Sequence, residues 1–292
     1  MHDAHSAAPC PNHDATQPAV PATAPRQLLW RAQKNGALPL FFFGALHFGT
    51  PEMYPLPQIV EDAFRDCGVT AFETDLGTIA SPAFHALMAK AGTMPEGHSL
   101  AGQLSADTWQ GLCQRAQSLG YHDSTISRLR SWYCASLLTS SALQLSGMAS
   151  QLGVDSYLFA RAKAQDKIIL CLEQPDEQLQ LLSSINSASD DEFIQNTLAE
   201  IDNMPAFTQH MLQIWLRGDA AELAALISSG FEGNNALQKR MLQTRNRSWF
   251  QQLHAANHEG KAVLSVVGAG HLVGDNSLLE FFRHHGYDVA QL

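Results

Sequence analysis

The chain has 292 residues, enough to bury a sizeable core as one large domain or two modest ones, and one is the reading adopted. Its 45% apolar and 16% charged residues, at a mean hydropathy of -0.12, exclude a disordered chain and a membrane bundle, and no apolar run nears the roughly 18 residues of a spanning helix. A net charge of -10 speaks against nucleic acid or anionic lipid as a partner, since both would repel it.

Residues 1–26, rich in Ala, Pro, Thr and His without periodicity, read as a flexible tail; His2, His5, Cys10 and His13 there are solvated rather than a designed metal site. No charged segment followed by an apolar one opens the sequence, so no signal peptide is expected as written, and the compartment stays open between cytoplasm and export by a missing upstream segment. The five cysteines lack CxxC spacing and sit mostly in apolar runs, as buried thiols do.

From Gln27 the pattern changes. LLWRAQ, a turn at Lys34-Asn35-Gly36 and PLFFFGA predict a β-hairpin running into a buried strand. PLPQIVEDAFRDCG sets Ile59, Val60, Ala63 and Phe64 on one helical face and stops at Gly68, after which VTAFETDL resumes as a strand. Residues 81–258 read mostly as helix, in runs such as ADTWQGLCQRAQSLG, STISRLRSWYCASLLTSSALQL and DDEFIQNTLAEIDNM. One strand, KIILCLE at 167–173, interrupts them and is expected to join the central sheet. The C-terminal segment, AVLSVV, GAGH, NSLLEFFRHHG and YDVAQL, repeats the order strand, turn, helix, strand. Laid on the first unit, it matches Gly44 to Gly268, His47 to His271 and Gly68 to Gly286. The expected fold is α/β: a central mixed or parallel sheet built from two βαβ pseudo-repeats, with a large helical insertion at about 81–258, in one domain over 27–292.

Ligands of open α/β sheets collect beyond the carboxyl ends of strands, where both Gly-x-x-His turns would lie. Gly44 and Gly268 let the backbone turn sharply there, and pairing of the two halves about a pseudo-two-fold would bring His47 and His271 together. Glu73 closes its apolar strand at the same rim, with Asp75 two residues on; the matching place in the second repeat holds Gln291, so only one half supplies a carboxylate. Two imidazoles and one carboxylate leave coordination positions open on a metal, one for water and one for a carbonyl oxygen. In ALQKRMLQTRNRSWFQQL, Met241, Leu242, Arg245 and Trp249 share a stripe that turns Arg245 inward, where a guanidinium needs an anionic partner or a transition state to stabilise. Glu173, ending KIILCLE, is a further candidate, with helix capping or a salt bridge as its plain reading.

The segments FFFGALHFGTPEMYPLP, VTAFETDL, GVDSYLFARAKAQDKIILCLEQPDEQL, TRNRSW and VVGAGHLVGDNSLLEFFRHHGYDV resemble the TraB/GumN family, which includes PrgY-type and TIKI proteins. The resemblance implies an α/β core with a helical insertion. For the TIKI branch it also implies protease activity dependent on a divalent metal. It places the family's two Gly-x-x-His motifs on Gly44 to His47 and Gly268 to His271, its acidic residue on Glu73 and its Arg-Asn pair on Arg245 and Asn246; Thr244 stands where an acidic residue is expected. Erythromycin-esterase-like and ChaN-like proteins are similar in architecture alone. The expectation is therefore a metal-dependent hydrolase acting on a peptide or small molecule, with His47, His271 and Glu73 around manganese, cobalt or zinc, Glu73 serving as ligand or as general base, and Arg245 and Asn246 supporting the reaction. A metal-free esterase-like hydrolase and a protein that sequesters a peptide or cofactor are the alternatives. The sequence specifies neither the substrate nor the oligomeric state.

Overall fold

The structure, a computed structural model, describes residues 26–185, 189–258 and 261–292; the expected tail with His2, His5, Cys10 and His13 lies outside them. β1 (Leu29–Gln33) and β2 (Leu40–Ala45) form the expected antiparallel hairpin, with Leu29 opposite Phe43 and Gly36 at φ +80° in its turn. β3 (Val69–Phe72), β4 (Ile168–Cys171), β5 (Val263–Gly268) and β6 (Asp288–Gln291) complete one six-stranded sheet in the order β4-β3-β5-β2-β1-β6. β2, β5, β3 and β4 run parallel, whereas β1 is antiparallel to both of its neighbours. The sheet is therefore mixed.

Side chains in register across parallel strands share a face. Phe43, Val266 and Phe72 form one such row, and Trp215 of the Met204–Arg217 helix and Phe159 of the Val154–Ala164 helix cover it, with ring centroids 5.9 and 5.2 Å from Phe43 and Phe72. Phe42, the next residue along β2, points the other way onto Phe282 of the Leu278–His284 helix at 4.9 Å, and Phe250 of the Thr244–His258 helix packs on Phe282 in turn. Helices thus cover both faces, which is why the central strands are continuous apolar runs.

The two βαβ units, β2 to β3 through the Gln58–Asp66 helix and β5 to β6 through Leu278–His284, are present but not equivalent. β2 to β3 skips one strand, β5, while β5 to β6 skips two, β2 and β1. The hairpin strand β1 fills the place beside β2 that a symmetric pairing would give to β6, so β6 is pushed to the edge. Gln291, the counterpart of Glu73, accordingly sits far from the centre and donates to the carbonyls of Gln27 and Gly218.

The helical segment builds a second core around Leu100, Leu112, Leu138, Ile194 and Ile201. The STISRLRSWYCASLLTSSALQL run is not one helix: it splits into Asp123–Ile126 and Ser131–Leu145, because Leu129 bridges to Thr93 and the Arg130 amide bonds the Gly92 carbonyl. No helix among the described residues is long and apolar enough to cross a membrane. Cys67, Cys113, Cys134 and Cys171 are free thiols, the first three buried.

Candidate active site

β2 and β5 are direct neighbours with Ala45 opposite Gly268, so the two Gly-x-x-His turns leave the sheet side by side. The convergence of His47 and His271 follows from that parallel pairing and needs no symmetry between the halves. Neither Gly44 nor Gly268 has a positive φ. Their role is close approach rather than a sharp turn: a Cβ on Gly44 would stand 3.0 Å from the Ala269 Cβ, and one on Gly268 would stand 3.1 Å from both Glu73 Oε1 and His47 Nε2.

The loop that carries His47 is strapped to a segment a hundred residues away. Gly49 and Ala149 exchange backbone hydrogen bonds, and the Val154 amide bonds the Leu46 carbonyl at 3.0 Å. Gly153 permits this approach, since a Cβ there would lie 2.5 Å from the His47 carbonyl oxygen. The first turn of the Val154–Ala164 helix then presents Asp155, which accepts from His47 Nδ1 at 2.7 Å. Sequence reasoning passed over Asp155, because an acidic residue in a first helical turn normally only complements the helix dipole. The available signal was Gly153 immediately before that turn.

Glu73 follows β3 and reaches between the two imidazoles, its Oε1 3.8 Å from His47 Nε2 and 4.0 Å from His271 Nε2. The Gly268 amide donates to Oε1 at 2.7 Å and Arg245 Nη2 to Oε2 at 2.6 Å. Arg245 also donates to both oxygens of Glu173, to the Met241 carbonyl and to His271 Nε2, so all five of its N–H groups are taken. Trp249 lies beneath the guanidinium at 4.6 Å and donates its Nε1 hydrogen to Glu173. Asn246 donates to the Asn276 carbonyl, which turns its own oxygen toward His271 Nδ1 at 2.7 Å. His271 therefore carries its proton on Nδ1 and directs the Nε2 lone pair at Arg245. A π-helical turn, Lys239–Gln243, precedes Arg245 and shifts the phase of the expected stripe, yet Trp249 stays fully buried. Asp75 does not join the cluster. It caps the Leu76–Ile79 helix, accepting from the Gly77 and Thr78 amides.

The two histidines are driven apart electrostatically. Burial pushes His271 down to about 3, with Glu73 opposing and Arg245 adding to the shift. Desolvation acts the same way on His47, but Asp155 outweighs it by charge and hydrogen bond, Glu73 assists, and the ring rises to about 9. The His47 side chain keeps 53% of its surface in solvent, so its charged form is hydrated on one side. Burial would raise Glu73, yet His271, His47, Arg245 and the Gly268 amide hold it at about 2. Glu73, Glu173 and Asp155 against Arg245 leave two negative charges when both imidazoles are neutral.

The sequence profile of the TraB/PrgY/gumN family matches residues 28–291. The chain belongs to that family. Among relatives, the uncharacterized protein YbaP of Escherichia coli (strain K12) is 25% identical over 240 residues, covering 82% of this chain and 86% of YbaP, and YbaP of Shigella flexneri matches equally. Metalloprotease TIKI1 of Xenopus tropicalis is 21% identical, covering 89% of this chain and 60% of its own length. No solved structure matches significantly.

The chain's likeness to metalloprotease TIKI1 raises the question of whether these residues suit a divalent ion. His47 Nε2 and Glu73 Oε1 do: both face the space that the missing Gly268 side chain leaves, in a cluster short of positive charge. His271 does not as arranged, because its lone pair is taken by Arg245. Correspondingly, among the described residues no three His, Cys, Asp or Glu side chains are already grouped to hold a metal. Two cavities of about 250 and 280 Å³ flank this centre, and His47 and Glu73 line both. A larger cavity of about 700 Å³ lies in the helical segment, beside Met94, His98, Arg130 and Asp190. It holds no comparable knot of buried charge, so the smaller pair is the candidate site.

Proposed function

We propose that the chain is a hydrolase of peptide bonds that uses a divalent ion held by His47 and Glu73, with manganese, cobalt and zinc all compatible with nitrogen and carboxylate donors. The observation that carries the reading is Glu73 Oε1 set 3.8 and 4.0 Å from two imidazole Nε2 atoms, in a cluster that keeps one surplus negative charge while His47 is protonated and two once an ion has displaced that proton. Among His47, Glu73 and His271, none is a strong general base at neutral pH as arranged. His47 keeps its proton until about pH 9, Glu73 is a weak acceptor at about 2, and the His271 lone pair is engaged by Arg245. When bound, the ion would lower the pKa of a water and polarise a carbonyl. Glu73 Oε1, held by the Gly268 amide, would either hold that ion or take a proton from the water beside it. Asp155 fixes the His47 ring, Asn246 fixes the His271 tautomer, and Arg245 aligns Glu73 against His271. With no free N–H, Arg245 acts on a developing oxyanion through its charge, unless one of its hydrogen bonds is exchanged.

Protein purified without a histidine tag, stripped by chelation and then given back manganese, cobalt or zinc, is expected to cleave a peptide library only after add-back. Because the ion must displace the His47 proton, its affinity should climb about tenfold per pH unit up to pH 9. A metal-free hydrolase is the second reading, favoured by the Arg245 bond to His271. It predicts activity that survives exhaustive chelation and falls above pH 9, as His47 loses the proton with which it acts as an acid. Recovery of an intact peptide in a tight complex, with no cleavage under any condition, would overturn both in favour of a sequestering protein.

A further inference from the structure

We propose that the cavity on the Arg245 and His271 side of the centre is the pocket for one uncharged, apolar substrate side chain, and that Ile227 gauges the size it accepts. The inference rests on the hydrolase reading for the word substrate, but its geometry is separate. His47 and Glu73 line this cavity and its neighbour alike, so a bond held between those two residues has one flank in each.

Away from the reacting groups and the backbone of the Gly268 turn, the walls are apolar: Met211, Leu223, Ile227, Phe231, Met241 and Leu242. They come from the Met204–Arg217 and Ala220–Gly230 helices, the residue just beyond the latter, and the π-helical turn. The polar side chains on the Arg245 flank are already engaged, and His47 Nε2 faces the space beside Gly268 where the reacting bond would lie. All five N–H groups of Arg245 have acceptors, both nitrogens of His271 have partners, and Glu73 Oε2 accepts from Arg245. A charged or strongly polar substituent entering here would lose its hydration and find nothing to replace it. The volume, about 280 Å³, lies just under the roughly 300 to 1,000 Å³ of pockets that enclose a whole drug-sized ligand, which suits one side chain. Ile227 sits over the turn that delivers His271: a Cβ on Gly270 would meet its Cδ1 at 3.3 Å. It is half-buried, so its replacement alters the pocket more than the core. The opposite cavity mixes Thr74, Asp155, Ser156 and Gln178 with Phe72, Leu76, Ile79 and Val266, so the exclusion of polar side chains is one-sided: strict toward Arg245 and relaxed toward Asp155.

The test is a peptide-library digest read by mass spectrometry for the native chain, Ile227→Ala and Ile227→Trp. Leu or Phe on one fixed side of the cleaved bond should exceed Asp or Lys there by about a hundredfold. Ile227→Ala should shift the ratio of Trp to Leu upward about tenfold, and Ile227→Trp should shift the ratio of Ala to Leu upward by a similar factor. A digest without side preference, or with the same preference in all three proteins, overturns the proposal while leaving hydrolysis intact. If nothing is cleaved, the hydrolase reading fails by itself and the pocket is judged by binding. N-acetyl-leucinamide at millimolar concentration should move the Ile227 and Met211 methyl NMR signals of the native chain, and N-acetyl-aspartamide should not; equal effects, or none, overturn it.

Discussion

Burial disfavours charge on both imidazoles; Asp155, accepting from His47, overrides it there, whereas His271, bonded to the neutral Asn246 and facing Arg245, stays neutral. Asp155→Asn should bring the His47 titration, followed by NMR, down from about 9 toward its ordinary 6.5; if His47 holds the proposed ion, activity should fall by about 10- to 100-fold, as on removing a partner behind a metal ligand. An unmoved titration would show that Asp155 does not set the charge of the ring. Gly268→Ala puts a methyl 3.1 Å from Glu73 Oε1 and His47 Nε2, so either group can withdraw only by straining its hydrogen bond, to the Gly268 amide or to Asp155. Loss of nearly all turnover with an unchanged far-UV spectrum is the expected result; a fully active variant would mean that this space is not where substrate and water meet.

At the scale of elements, the Thr244–His258 helix acts as a strut that reaches three strand ends through one guanidinium. Arg245→Met strips the counter-charge from Glu73 and Glu173, both about nine-tenths buried, and should destabilise by about 3–5 kcal/mol in denaturant unfolding. Adding Glu173→Gln should recover part of that loss, because one stranded carboxylate disappears; strictly additive effects would show that the two residues do not share the buried pair. The Val154–Ala164 helix is held to the His47 loop by contact too close for a side chain. Gly153→Ala, with its methyl 2.5 Å from the His47 carbonyl, should cost about 1–3 kcal/mol and lower the His47 titration together with activity. A stability loss without any change at His47 would separate the strap from the site.

Across the whole molecule, the site imposes a pH optimum on stability with a defined sign. His47 is raised from 6.5 to about 9, so its contribution is complete below pH 6.5 and vanishes as pH rises through 9. His271 is lowered from 6.5 to about 3, so its contribution is present above 6.5 and is lost as pH falls toward 3. Glu73, lowered from 4.5 to about 2, adds a loss below pH 4.5. The melting temperature should therefore peak near pH 6.5. Asp155→Asn should flatten the alkaline limb and His271→Gln the acid limb between 6.5 and 3; limbs that both variants leave unaltered would place the pH dependence elsewhere.

Local regularities carried much of this protein into view. The period-two and continuous apolar runs, the Asn35-Gly36 turn and the helix ending at Gly68 specify strands, hairpin and βαβ order, because such signals act over a few residues and need no partner. The repeated Gly-x-x-His pointed to His47 and His271, and the strand ends to Glu73 and Glu173. Sequence alone did not show that β1 would displace β6 and leave Gln291 at the edge, since strand order depends on pairing between segments hundreds of residues apart. Nor did it show that Asp155 would reach His47 across 108 residues, or that Asp75 would turn away to cap a short helix. The same holds for the split of charge between the two imidazoles. A side chain's pKa and its free lone pairs are fixed by what the whole chain packs around it, and only the assembled sheet with its helices determines that environment.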